Sequence, residues 1–171
     1  MRSPDRGFLA ALVALARARV EFILVGVGGI NFYAADASQS VETRDLDALL
    51  KPRVEVLRAA LAALAGASFT FRASREPFLD IADEAVLRTL LARGATVTAL
   101  DETGAQLDLM TSGLDFDDLA ADAVTFRLGE TEVRVGRLEK LLRAKERAGR
   151  PKDVEFLRLY AARLREQAGE S

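Results

Sequence analysis

The stretch EFILVGVGGINFYAADASQSVETRDLDALL, residues 21–50, decides how the rest of the chain is read. EFILVG (21–26) is a short apolar run ending in glycine, the pattern of a buried strand. The glycine cluster Gly26, Gly28 and Gly29 follows, and residues 29–36 read as a short helix. ASQSVET (37–43) is polar and turn-like. DLDALL (45–50) then alternates, with Asp45, Asp47 and Leu49 on one face of a strand and Leu46, Ala48 and Leu50 on the other.

Three readings compete for this stretch. Gly26 and Gly28 after a strand, with an acidic residue about 20 positions on, suit a dinucleotide fingerprint. Against that, Asn31 occupies the third glycine position, and the chain turns polar before completing a crossover helix. A second reading is structural: glycines relieve crowding at a strand-to-helix turn, and a surface strand carries two solvated aspartates. The third is a metal–nucleotide site. Side chains two apart share a strand face, so Asp45 and Asp47 can converge on a divalent cation. A glycine turn entering a helix offers backbone N–H groups to phosphate.

A third acid would complete such a site. AQLDLMT (105–111) reads as a strand with Leu107 and Leu109 on one side and Gln106, Asp108 and Met110 on the other. A charge within a central strand is costly unless paired or metal-bound, which makes Asp108 the candidate. An edge strand with a wet face is the plainer alternative. Crowding among the three acids should raise at least one of their pKa values.

Composition narrows the chemistry. The 171 residues suit one domain, and half of them are hydrophobic, enough for a core. With 24 basic and 26 acidic residues, the net charge of −2 does not advertise nucleic-acid binding. The chain has no cysteine and no histidine. That removes disulfides, thiolate zinc sites, the cysteine nucleophile and the commonest general base. Any metal would be oxygen-bound, hence a hard cation such as Mg2+. FLAALVALA after Arg2 and Arg6 has some features of a secretory signal, but Asp5 and the RAR interruption favour an amphipathic helix over 5–19. No segment has the apolar length of a membrane span.

Elsewhere, a helix is expected from Pro52 to about Ala65, a strand at 69–74 and a helix at 83–93 stopped by Gly94. TVTAL and AQLDLMT form a hairpin around DETG, and AVTFRL and EVRVG a second around Gly129. A helix over 137–148 ends at Gly149, and Pro151 starts the last helix, to about Glu166. Seven cations, from Arg137 to Lys152, crowd this end. Arg137, Lys140 and Arg147 read as solvated, with Glu139 and Arg143 placed to pair at i,i+4. Lys145 stands just before the turn, within reach of a phosphate group. Asp153 either orients Lys145 or Arg150 or favours the helix start electrostatically.

The ordered set ILVGVGG, ETRDLDALL, AQLDLMT and LEKLLRAKERAGRPKDVEFLRL resembles the nucleotidyltransferase superfamily, in particular its small AbiEii-type and minimal bacterial members. The likeness covers about residues 10–160. It implies an α/β fold in the α+β sense: a mixed β-sheet flanked by helices, like the polymerase-β palm. The core would span 1–136, with a C-terminal helical segment, 137–171, packed on it as one compact domain. It implies that Asp45, Asp47 and Asp108 are catalytic and hold Mg2+ or Mn2+. Gly28, Gly29, Thr43, Lys145, Arg150, Lys152 and Asp153 would bind the NTP. The implied activity moves an NMP from an NTP to a hydroxyl on an RNA 3′ end or a protein. A toxin role with an antitoxin partner, a cytoplasmic location and no membrane association go with it. The chain departs from the family pattern at Val41, where relatives carry arginine, at Asn31, in a longer spacer and in lacking a His-Gly pair. Those departures motivate the alternative, a nucleotide- or partner-binding module without turnover.

Overall fold

The structure, a computed structural model, describes residues 6–34, 40–73 and 80–167, with side chains as far as Arg163. The expected turn over 37–43 and the end of the strand at 69–74 lie partly outside these residues, and the C-terminal AGES entirely so.

The apolar run becomes strand β1 (Phe22–Val25), buried along its whole length. It is preceded by helix α1 (Arg6–Arg17), which buries Phe8, Ala11, Leu12 and Leu15, and is followed at once by α2 (Gly26–Asn31). DLDALL is β2 (Asp45–Leu50). Helix α3 (Val54–Gly66), β3 (Thr70–Ala73) and α4 (Glu84–Ala92) come next. The expected hairpins are β4 (Val97–Leu100) with β5 (Gln106–Met110), and β6 (Val124–Leu128) with β7 (Thr131–Val135). Between them lies α5 (Phe116–Ala121), for which the sequence reading has no counterpart. Helices α6 (Leu138–Ala148) and α7 (Pro151–Gln167) close the chain. Gly149 caps α6 in the left-handed region at φ 59°, the conformation that favours glycine there.

The seven strands form one mixed sheet in the order β3-β4-β5-β2-β1-β7-β6. The β1–β7 and β2–β5 pairs are parallel and the others antiparallel. An α/β architecture with a mixed sheet flanked by helices is therefore as expected. Pairing puts partnered residues on a common face. One face carries Phe22, Leu24, Leu46, Ala48, Leu50, Leu107 and Leu109, all buried. Helix α1 packs on β5 and β7 and against α3. It must do so from this apolar side, because the other side of β5 stays half-exposed.

The second face changes character along its width. Ile23, Val25 and Leu49 are buried near β1, where α5 packs. Toward β5 and β4 it turns polar, with Asp45, Asp47, Gln106, Asp108 and Thr98 half-buried and open to one side. An apolar stripe under α5 and a polar stripe beside it give the sheet a candidate site on one half of one face. Among the described residues no helix is long and apolar enough to cross a membrane.

Candidate functional site

Strand geometry assembles the acids. Asp45 and Asp47 share a face of β2, and the β2–β5 register places Asp47 directly beside Asp108. The alternation expected for both strands is thus observed, and all three acids lie on the same side of the sheet. The Asp108 carboxylate accepts hydrogen bonds from Thr98 Oγ1 at 2.8 Å and Gln106 Nε2 at 3.3 Å. Asp47 faces a more difficult environment. Burial first, and the neighbouring Asp108 charge second, push its carboxyl from 3.8 up to about 6. The expected rise in an acid pKa is present, with desolvation ahead of repulsion as its cause. Lys145 and Lys152 pull in the opposite direction more weakly.

The donor set fits a hard cation in kind: oxygen only, on adjacent strands, with a carboxylate whose ionisation a positive charge would favour. The three acids share a face without closing into a cluster. Among the described residues, no group of three or more acidic side chains lies at ion-holding separation.

The glycines behave differently from the expected phosphate turn. Helix α2 starts at Gly26, so Gly28 and Gly29 lie inside it, buried. A Cβ at Gly28 would meet Leu46 Cδ1 at 2.6 Å. One at Gly29 would meet the Leu24 carbonyl oxygen at 3.1 Å and Leu141 Cδ1 at 3.3 Å. These two residues let α2 lie against the sheet and α6. The glycine beside the acids is Gly26, at φ 65°, where a Cβ would come within 2.3 Å of Asp47 Oδ2. No side chain of its N-cap residue, Val25, bonds the first turn of α2.

Two of the departures from the resembled pattern, Asn31 and Val41, are partners. The Asn31 side chain donates to the Val41 carbonyl at 2.7 Å and accepts from the Val41 N–H at 2.9 Å. It thereby holds the chain four residues before Asp45. Thr43 acts locally: its hydroxyl donates to the Asp45 carbonyl at 3.0 Å and accepts from the Asp45 N–H at 3.3 Å. The Arg163 guanidinium, on α7, donates to the Ser40 carbonyl and ties the last helix to the same segment.

At the C-terminal end the alternatives for Asp153 resolve. Asp153 is fully buried. It accepts from Arg150 Nε at 2.6 Å and Nη2 at 3.2 Å, and from Lys145 Nζ at 3.1 Å. The Arg150 hydrogen bond, with Lys145 adding to it, holds its carboxyl down at about 2. Asp153 therefore orients both cations. Lys145 Nζ also stands 5.8 Å from the centre of the Phe156 ring. Lys140, expected in solvent, instead pairs with Asp118 and Asp122 at 3.1 and 2.9 Å and ties α6 to α5. Glu139 pairs with Arg137 at 3.2 Å rather than with Arg143.

Two clefts take up some of the expected site residues, while Asp45, Asp108, Gly29, Lys152 and Asp153 line neither. One, of about 660 Å3, is lined by Val25, Gly26, Asp47 and Met110, by residues of α5 and α6, Lys145 included, and by Arg150 just after α6. The other, of about 890 Å3, includes Gly28 and Thr43 together with Asn31 and Arg44. Lys152 is exposed, close enough to Asp47 to act on its charge. Sequence reasoning missed Arg143, which lines the first cleft, and set aside Arg147, which does the same. Their i,i+4 spacing was the available signal. Comparison with protein-family models and with curated proteins finds no match to this chain.

Proposed function

We propose that the chain is a metal-dependent nucleotidyltransferase that moves an NMP from an NTP to a hydroxyl. The observation that carries this reading is the in-register pair Asp47 and Asp108, beside Asp45, on an open polar face against a cleft with a basic wall. Asp45, Asp47 and Asp108 would hold Mg2+ or Mn2+. Such an ion, when bound, neutralises phosphate charge and makes a nearby hydroxyl more acidic.

The chain's own groups do the rest. Lys145 keeps N–H donors beyond the one given to Asp153, and these take phosphate oxygens. Arg150, fixed by the same carboxylate, adds charge at the cleft wall. Gly26, lacking a Cβ, lets the Asp47 carboxylate pack against the start of α2. The acceptor oxygen bonds to the α-phosphorus while the bond to pyrophosphate breaks. Asp108 would help take up the acceptor's proton, there being no histidine in the chain. The acceptor class follows the family likeness: an RNA 3′ end or a protein hydroxyl, within a toxin–antitoxin pair.

A second reading has its own support. The Asp108 carboxylate is already engaged by Thr98 and Gln106, which suits a module that binds nucleotide without turnover. Incubation with α-labelled NTP, Mg2+ and RNA or protein acceptors separates the two. Label transfer that disappears in Asp45→Asn, Asp47→Asn and Asp108→Asn supports the enzyme. NTP binding with no pyrophosphate released across both acceptor classes supports the module.

A further inference from the structure

The cations of α6 fall into two groups. Lys140 and Lys145 are bound to carboxylates of this chain. Arg143 and Arg147 are not: among the described residues neither has an ion-pair partner within 4.0 Å, the pair expected with Glu139 being taken by Arg137. Both are exposed, and both line the cleft that Asp47 also lines. At i,i+4 they stand one turn apart on the same helix face. Leu141, on another face of α6, is buried and anchors the helix. The same cleft has apolar surface from Met110 and Leu114, both half-buried.

A cleft whose five cations outnumber its three acids, Asp47, Asp115 and Asp118, and which also has an unneutralised guanidinium pair and apolar surface, matches one ligand class. We infer that Arg143 and Arg147 are binding residues for the phosphate chain of a nucleoside polyphosphate, whose nucleoside lies against Met110 and Leu114. Guanidinium forks suit phosphate oxygens in pairs, and two forks one turn apart are spaced for a chain of phosphates rather than a single one. Lys140 is already neutralised by Asp118 and Asp122, and Lys145 and Arg150 share the one carboxylate of Asp153; Arg143 and Arg147 carry charge that no carboxylate among the described residues takes up. This inference rests on the nucleotidyltransferase reading for the identity of the nucleotide, not for the anion chemistry.

The test is calorimetric titration of the full chain with inorganic tripolyphosphate, ATP and AMP, at fixed Mg2+ and salt. The variants are Arg143→Ala, Arg147→Ala and, as an exposed control on another element, Arg53→Ala. Because Arg143 and Arg147 are exposed and unpaired, melting temperatures should stay close to the parent's. Each α6 variant should lose about tenfold or more in affinity for tripolyphosphate and ATP. The loss for AMP should be several-fold smaller, and the control should lose little with any ligand. Equal losses for AMP and ATP, losses in the control as large as in the α6 variants, or no binding of tripolyphosphate to the parent would each overturn the inference. Tripolyphosphate binding that needs both arginines, without pyrophosphate release from NTP, would sustain it while removing the transferase reading. Turnover and ATP affinity undiminished in both variants would overturn it and leave that reading standing.

Discussion

Replacing Asp47 by Asn should stabilise the metal-free fold, and by an amount that depends on pH. The Asp47 carboxyl lies at about 6 in the folded chain against 3.8 for an unperturbed group. About two units at about 1.4 kcal/mol each give a penalty on the order of 3 kcal/mol when the group is ionised. Below about pH 4, folded and unfolded chains are both protonated at this residue, and the penalty is absent. Between about 4 and 6 the folded chain holds a proton that the unfolded chain has released. Stability therefore falls as pH rises through this window, and the full penalty is present above it. The amide keeps some cost of burying a polar group, so the gain should be somewhat less than the penalty. A chain of this size shifts by about 2–4 °C per kcal/mol. Asp47→Asn should then melt about 3–10 °C above the parent at pH 7, with EDTA present, and nearly level with it at pH 3.5. Circular-dichroism melts across this range measure the difference. An equal gain at both pH values, or a loss at pH 7, would refute the argument that a buried, crowded carboxylate strains this strand.

Asp153→Asn should do the opposite. It strands Lys145 and Arg150 beside a buried amide and should cost about 3–5 kcal/mol in urea unfolding. The parent's own contribution from Asp153, whose carboxyl sits at about 2, should be lost as pH falls from about 4 toward 2. Asn31→Ala removes both hydrogen bonds to the Val41 backbone and should cost about 1–3 kcal/mol. Its signature is faster amide exchange at Val41, measured by hydrogen–deuterium exchange. Gly26→Ala adds a Cβ at positive φ and against Asp47 Oδ2. It should destabilise by about 1–3 kcal/mol and change the Asp47 titration midpoint, which an alanine at exposed Gly66 should leave alone.

What the sequence discloses here depends on the range of the interaction. The alternation in DLDALL and QLDLM is a local property of extended chain, so the shared face of Asp45, Asp47 and Asp108 was legible, as were the hairpin partners and the Gly149 cap. The start of α2 was not. Glycine is a poor helix former, and only the approach of Leu24, Leu46 and Leu141 explains why a glycine-rich segment is helical. Helix α5 is six residues long, too short for a periodic pattern. Its signal lay in Asp115, which caps it by accepting from the Asp118 N–H at 3.1 Å, with Asp117 and Asp118 in the first turn. Asn31 and Val41 looked like two separate departures from a family pattern. They are one contact across ten residues, which no window of local sequence reveals. Lys140 likewise looked solvated because its acids, Asp118 and Asp122, come from another helix and the residue that follows it.

The central claim is that the polar face around Asp47 is a cation–nucleotide site. Its most direct test is the Asp47 carboxyl resonance, assigned by comparison with Asp47→Asn and titrated with and without Mg2+ and a non-hydrolysable NTP analogue. Without metal the midpoint should lie near 6. With Mg2+ and analogue it should fall by at least about one unit, since a bound cation favours the carboxylate. Asp108→Asn should weaken that response. A midpoint that millimolar Mg2+ and analogue leave unmoved would contradict the claim and return Asp45, Asp47 and Asp108 to a polar sheet surface.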